Sequence, residues 1–230
     1  KLTPETLRVL YKAAELGIEL IPATGRFWKA VTDDIKNLPF IHYAVILNGA
    51  AIYDVKKDKI LARFEIPPER AETMARVFDG LNVVYDAIID GQGYMKREFH
   101  ENLKDVAVDD WQYKIMHDMR TPVESLHEVL RGLMSQDKGI QKMQIYTKDK
   151  KLRESLLASL PAVFPNNLFT SSVPNNIEIN DLKANKGGGL KFIASHLGID
   201  ISSTMAFGDG LNDIFMIKAA GIGVAMGNTA

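Results

Sequence analysis

Two aspartates four residues apart, Asp209 and Asp213, follow the apolar run Thr204-Met205-Ala206-Phe207, and glycines flank the first of them at 208 and 210. Glycine lets a backbone turn sharply just past a strand, and carboxylate oxygens suit a hard cation such as Mg²⁺. An acidic helix cap accounts for one of Asn212 and Asp213. It leaves Asp209 unexplained, so the pattern predicts a metal site on Asp209 and Asp213. Two other loops carry small or polar residues just after apolar runs, Thr24-Gly25-Arg26 and Asn48-Gly49, while Lys186 precedes three glycines. A hydroxyl beside a backbone amide binds an anion, and a lysine adds a point positive charge. Hydroxyl, ammonium and metal-binding carboxylate together point to a phosphoryl group, whose transfer depends on positioning and charge stabilisation.

These residues would share a site if the elements around them form one parallel sheet. Thr3-Pro4-Glu5 opens a helix that Gly17 stops. Residues 18–23 read as a strand, 27–38 as a helix and 43–47 as the next strand. That alternation predicts a parallel sheet with crossover helices, and ligands bind outside the carboxyl ends of such strands. Thr24, Asn48 and Asp209 each lie just past a predicted strand and would face one crevice. After Asn48 the rhythm changes. Residues 51–66 read as a hairpin or meander and 67–78 as a helix. Residues 82–99 are strand-like, broken at Gly91-Gln92-Gly93. Residues 109–133 are helical or irregular, interrupted at Thr121-Pro122, and then come strand at 141–147, helix at 151–160 and strand at 168–179. From Asn180 the strand–helix rhythm returns, with a flexible glycine loop before a helix carrying Leu190, Ile193 and Leu197, and a last strand running into a loop at Asn228.

The totals narrow the class. With 28 Lys and Arg against 29 Asp and Glu, the net charge of −1 lacks the basic surplus of a nucleic-acid binder. Zero cysteines exclude disulfides, thiolate metal sites and a cysteine nucleophile. No apolar run approaches membrane-spanning length and the first residues do not read as a signal peptide, so the expectation is a cytoplasmic protein, monomer or homodimer, with no nucleic-acid or membrane partner. His42, His100, His117, His127 and His196 show no ligand spacing and read as surface or structural residues. Trp28, Trp111 and the methionines read as core. Asn48-Gly49 on its own is a turn dipeptide, and residues 185–189 do not have the Walker A order. The stretch 90–96 reads as a hairpin tip, with an overhang that selects substrate as the alternative.

Ala23-Thr24-Gly25-Arg26, Leu47-Asn48-Gly49-Ala50, Lys186-Gly187 and Gly208-Asp209-Gly210-Leu211-Asn212-Asp213 resemble, in order and spacing, the motifs of haloacid dehalogenase superfamily phosphatases, in particular the Cof-like sugar-phosphatase branch with a type-IIB cap. The resemblance covers nearly the whole chain. It implies an α/β fold: a Rossmann-like three-layer core with a parallel sheet, formed by residues 1–50 and 179–230, and an inserted α+β cap at 51–178. It implies Mg²⁺ held by Asp209, with Asp213 as a partner that reaches the metal through its ligands or through a water. Thr24 and Gly25 would bind phosphate through hydroxyl and amide. Lys186 would stabilise the nucleophile and the transferring phosphoryl, Asn212 would hold phosphate or Lys186, Asn48 would lie at the crevice edge, and Arg26 would touch substrate. The implied activity is hydrolysis of a small phosphorylated metabolite, foremost a sugar phosphate, through an aspartyl-phosphate. A sugar phosphomutase and a catalytically inactive binder of a phosphorylated ligand are the alternatives. The family's Asp-x-Asp strand has no counterpart, because Asp33-Asp34 and Asp109-Asp110 are adjacent pairs in helical patterns. The expectation is an excerpt of a longer polypeptide, with the nucleophile upstream of Lys1 and further elements after Ala230.

Overall fold

A computed structural model describes residues 2–136 and 138–227. The expected loop at Asn228 lies outside the described residues. Thr3 caps α1 (Pro4–Glu15), its Oγ1 accepting from the Thr6 amide at 3.1 Å. Residues 18–23 do not form the expected strand. Only Ala23 pairs, in a parallel bridge to Val45, where the Val45 amide donates to Pro22 O and the Thr24 amide to Val45 O, both at 2.9 Å. Pro22 has no amide proton to extend that ladder. The helix expected over 27–38 is also divided, into a 3₁₀ turn at Trp28–Ala30 and the short α2 (Asp33–Lys36). Val31 and Thr32 between them are extended, with ψ of 140° and 148°, as adjacent β-branched residues favour.

Strands β1 (Tyr43–Ile46), β2 (Ala51–Asp54) and β3 (Lys59–Arg63) form an antiparallel sheet in that order. Residues 51–54 therefore pair with β1, and 59–63 extend the same sheet by pairing with β2. The chain continues through α3 (Pro68–Asp79), β4 (Val84–Ile89), β5 (Gln92–Lys96), α4 (Arg97–Glu101) and α5 (Asp110–Asp118). Next come β6 (Arg120–Val123), α6 (Leu126–Leu133), β7 (Lys142–Tyr146), α7 (Lys150–Val163), β8 (Asn167–Thr170) and β9 (Asn176–Asp181). These strands make a second sheet in the order β6-β5-β4-β7-β9-β8. The break expected at Thr121-Pro122 is thus a strand. Proline is tolerated there because β6 is an edge strand.

The two faces of that sheet differ in kind. Tyr85, Ala87, Ile89, Met143, Ile145, Ile177 and Ile179 point to one side and pack with Met74, Phe78, Leu130 and Leu160 of the helices in an apolar core. The alternate residues point to the other side. Asp86 stands opposite Gln144, and Gln144 opposite Glu178, in one row across three strands.

The last segment comprises α8 (Lys186–His196), β10 (Met205–Gly208), α9 (Ile214–Ala219) and β11 (Ile222–Ala225), with β10 and β11 parallel. Met205, Phe207 and Ile222 are more than half exposed. The glycines after Lys186 are not a flexible loop before a helix but the first turn of α8. A Cβ on Gly187 would lie 2.4 Å from the Phe215 carbonyl, and one on Gly189 would lie 2.5 Å from Val45 Cγ1. Their small size brings α8 against both α9 and β1. No helix among the described residues is long and apolar enough to cross a membrane.

Candidate active site

Thr24, Gly25, Arg26, Lys186, Asp209, Asn212 and Asp213 line one cavity of about 340 Å³, a size suited to a small metabolite. Lys186 opens α8, and Asn185 caps it by accepting from the Gly188 amide at 2.8 Å. Its buried ammonium donates to Asp213 Oδ1 at 2.6 Å and to no other described residue, which leaves two protons for the cavity. Asp213 Oδ2 accepts from the amides of Asp209 and Gly210, each at 3.0 Å. Burial pushes the Asp213 carboxyl up, but the Lys186 hydrogen bond and the two amides outweigh it and hold the group below the usual carboxylate range.

That arrangement changes the reading of the aspartate pair. Spacing predicts two carboxylates on one cation, whereas the structure turns Asp213 onto Lys186 and the loop amides and brings Asp209 to the cavity wall. Among the described residues, no three His, Asp or Glu side chains gather as a group able to hold a metal.

The other loops complete the wall. Thr24 Oγ1 accepts from the Arg26 amide at 3.1 Å, leaving its own proton for an outside acceptor. The Gly25 amide donates to no described residue. A Cβ at Gly25 would stand 2.9 Å from Asn48 Oδ1 and 3.3 Å from Glu178 Oε1, so a side chain there would be crowded on two sides. Arg26 donates to Ala30 O at 3.3 Å, and its guanidinium carbon stands 5.1 Å from the Trp111 ring centroid.

Asn48 does not line the cavity. It is buried behind the wall in a left-handed conformation (φ 61°) that asparagine tolerates better than most residues. Its Oδ1 accepts from Asn212 Nδ2 at 3.1 Å, and its Nδ2 donates to Glu178 Oε2 at 2.9 Å and Asn180 Oδ1 at 3.2 Å. Asn48-Gly49 is thus an internal junction between loops and sheet.

A quarter of the wall comes from polar residues of the six-stranded sheet that the sequence reading passed over: Lys142, Gln144 and Tyr146 of β7, Asn176 and Glu178 of β9, and Arg120 at the start of β6. Lys142 donates to Glu178 Oε1 at 2.9 Å and to the Gly25 carbonyl at 2.7 Å, so the six-stranded sheet grips the loop that carries Thr24. Burial raises Glu178, yet the Lys142 charge and the hydrogen bond from Asn48 hold the carboxyl below its ordinary value. The stretch 90–96 is absent from the wall. Asp90 pairs instead with Arg63 and Lys138, at 2.6 and 2.8 Å, at a plain hairpin tip. None of the histidines lines the cavity, and Trp111, expected in a core, is half exposed at its wall.

The family model for haloacid dehalogenase-like hydrolases matches residues 1–230. The chain belongs to that family. This haloacid dehalogenase-like hydrolase is 27% identical over 227 residues to the 5-amino-6-(5-phospho-D-ribitylamino)uracil phosphatase YcsE of Bacillus subtilis, covering 99% of the chain and 77% of the relative. It is also 27% identical over 228 residues to the HMP-PP phosphatase of Serratia proteamaculans, covering 98% and 77%. Among solved structures, a haloacid dehalogenase-like hydrolase from B. subtilis superposes with a TM-score of 0.80 at 24% identity, over 100% of this chain and 85% of that one. A subclass IIB sugar phosphatase superposes with a TM-score of 0.76 at 22% identity, over 100% and 82%. The mixed α/β fold is the superfamily's, and the hydrolase is a phosphoric monoester hydrolase.

Proposed function

We propose that this enzyme hydrolyses a small phosphorylated metabolite, with a sugar phosphate or another phosphorylated polyol as the leading class, using Mg²⁺ and passing through an aspartyl-phosphate. The observation that carries the proposal is the convergence of Thr24, Gly25, Lys186, Asp209 and Asn212 on one cavity. The relatives named as a 5-amino-6-(5-phospho-D-ribitylamino)uracil phosphatase and an HMP-PP phosphatase, and the sugar-phosphatase neighbour, support the substrate class.

In this reading the Thr24 hydroxyl and Gly25 amide donate to phosphate oxygens, and the two remaining Lys186 protons offset the charge that develops during transfer. Asp213 is a positioning residue that fixes Lys186. Asn48 orients Asn212, whose amide reaches phosphate or Lys186, and Arg26 lies at the substrate's edge. Asp209 offers the hard oxygen that Mg²⁺ requires, and Mg²⁺ binds through one or two carboxylates together with substrate phosphate, so a single carboxylate at the wall suffices. When bound, the metal supplies charge neutralisation on phosphate oxygens. We assign the lid to residues 68–181, built on the six-stranded sheet, and group residues 51–63 with β1.

The test is phosphate release by the full-length protein against a metabolite panel, with and without Mg²⁺, together with Asp209→Asn. Turnover is expected to need Mg²⁺ and to fall about 10²-fold or more in the variant, the order seen when a main electrostatic contributor is lost. Unchanged rates would reject the assignment. Release of phosphate to water as sole acceptor also excludes the phosphomutase alternative.

A further inference from the structure

The polar face of the six-stranded sheet holds a second constellation, away from the loops that carry Thr24 and Asp209. At its centre is Asp86, fully buried and not itself on the cavity wall. Its carboxylate accepts from Arg120 Nε at 2.8 Å, Gln144 Nε2 at 3.1 and 3.4 Å, and Tyr146 OH at 3.4 Å. All three donors line the cavity. Arg120 is nearly enclosed, and its Nη2 donates to Tyr146 OH at 3.3 Å.

The other guanidinium nitrogen decides what this constellation can do. Nη1 hydrogen-bonds to no described residue, yet the one buried side-chain polar atom lacking a partner among the described residues is Thr170 Oγ1. Nη1 is therefore not sealed inside protein, and Arg120 is part of the cavity wall. Asp86 has already balanced the arginine's charge, as Glu178 balances Lys142 nearby. What faces the cavity is a fixed pair of donors with little net charge. Such a group matches a neutral oxygen better than a second phosphate.

We propose that Arg120, oriented by Asp86, is a specificity-determining residue that donates to a neutral carbonyl or hydroxyl oxygen at the end of the leaving group remote from the phosphate. Substrates of this class are monophosphates of oxygen-rich, uncharged leaving groups. Bisphosphates and purely hydrocarbon esters are disfavoured. The inference rests on the phosphatase reading and adds the identity of the group that reads the distal end.

Full-length protein and Arg120→Met are compared for kcat and KM on D-glucose 6-phosphate, D-ribitol 5-phosphate and uridine 5′-phosphate, with phenyl phosphate as the ester lacking a distal oxygen. The unsubstituted protein should turn over at least one of the three with a higher kcat/KM than phenyl phosphate. Arg120→Met should lower that ratio about 10- to 100-fold, mainly through KM, as expected for the loss of one charge-assisted hydrogen bond. Asp86→Asn removes the balancing charge, so it should shift preference from D-glucose 6-phosphate toward D-glucose 1,6-bisphosphate. A ratio unchanged in Arg120→Met, or no preference in the unsubstituted protein for any of the three over phenyl phosphate, overturns the role of Arg120 and leaves the phosphatase reading standing. No Mg²⁺-dependent release from any ester overturns both. Should Asp86→Asn fail to fold, the Arg120→Met ratio decides alone.

Discussion

Lys142→Met separates charge from volume where strand β7 meets the Thr24-Gly25 loop. Methionine keeps most of the apolar stem but removes the ammonium that holds Glu178 at 2.9 Å and the Gly25 carbonyl at 2.7 Å. Glu178 is 3% exposed and would be left with the Asn48 contact at 2.9 Å on its other oxygen and the Ser172 side chain, neither of them a cation. Removing one partner of a buried ion pair costs about 3–5 kcal/mol, because the remaining charge is uncompensated. Adding Glu178→Gln removes that charge while an amide oxygen still accepts from Asn48. What then remains is an unpaired Gly25 carbonyl, about 1–3 kcal/mol. The double variant should thus recover about 2 kcal/mol of the single variant's loss, a coupling typical of residues in direct contact.

Urea denaturation reads both numbers, and its pH dependence reads the sign. In the native protein Glu178 sits below its unfolded value, so its contribution is present above the unfolded pKa and is lost as pH falls through the folded one. Without Lys142, burial dominates and the folded carboxyl rises above its unfolded value. Its protonation then relieves the single variant, which should recover part of its stability between neutral pH and pH 5. A loss below about 1 kcal/mol in Lys142→Met, or no recovery in the double variant, would refute the view that this buried pair ties sheet to loop.

Asp213→Asn keeps the shape of the residue that holds Lys186 at 2.6 Å but removes its charge. Phosphate release should fall about 10-fold or more in kcat, with KM less affected, as for an interaction made chiefly in the transition state; equal rates would remove Asp213 from the machinery. Gly187→Ala drives a methyl to 2.4 Å from the Phe215 carbonyl and should lower stability by about 1–3 kcal/mol, as overpacking does. Gly132→Ala, inside α6 with nothing within 4 Å, should instead stabilise by about 0.5–1 kcal/mol. Thermal melts of the pair check that contrast.

How much was legible in the sequence followed from where the information resides. The loops around Thr24, Lys186 and Asp209 were readable because glycines and polar residues interrupt apolar runs there, and the structure sets all three on one cavity. Element type was readable wherever the hydrophobic period was sustained, as in α1, α3, β7 and α7. It failed over 27–38, where buried Phe27, Val31 and Leu38 mimic helical spacing while the backbone at Val31 and Thr32 is extended. The wall contributed by the six-stranded sheet was missed for another reason. Lys142, Gln144 and Tyr146 alternate with Met143 and Ile145, a pattern that normally marks a strand with one face in water. Here the polar face is covered by the loops of the other sheets. Alternation tells which side chains share a face, but only tertiary structure tells that the face is buried. Glu178 and Asn180, alternating with Ile177 and Ile179, carried the same overlooked signal.

Asn180 joins the two halves of the molecule by giving one amide proton to Leu47 O and the other to Gln141 O, both at 3.0 Å. Together with Lys142 on Gly25 and Asn48 on Glu178, it makes a seam fastened by directional polar links. The polar groups of this seam can be wetted when they let go, so their exchange runs near parity, and its apolar part is small, Phe27, Leu47 and Ala50 against Ile88 and Ala184. The oily packing of α3, α6 and α7 against their sheet has no comparable substitute in water. Opening along this plane is therefore expected to cost less than opening either side, and the directional links favour re-joining in the same register.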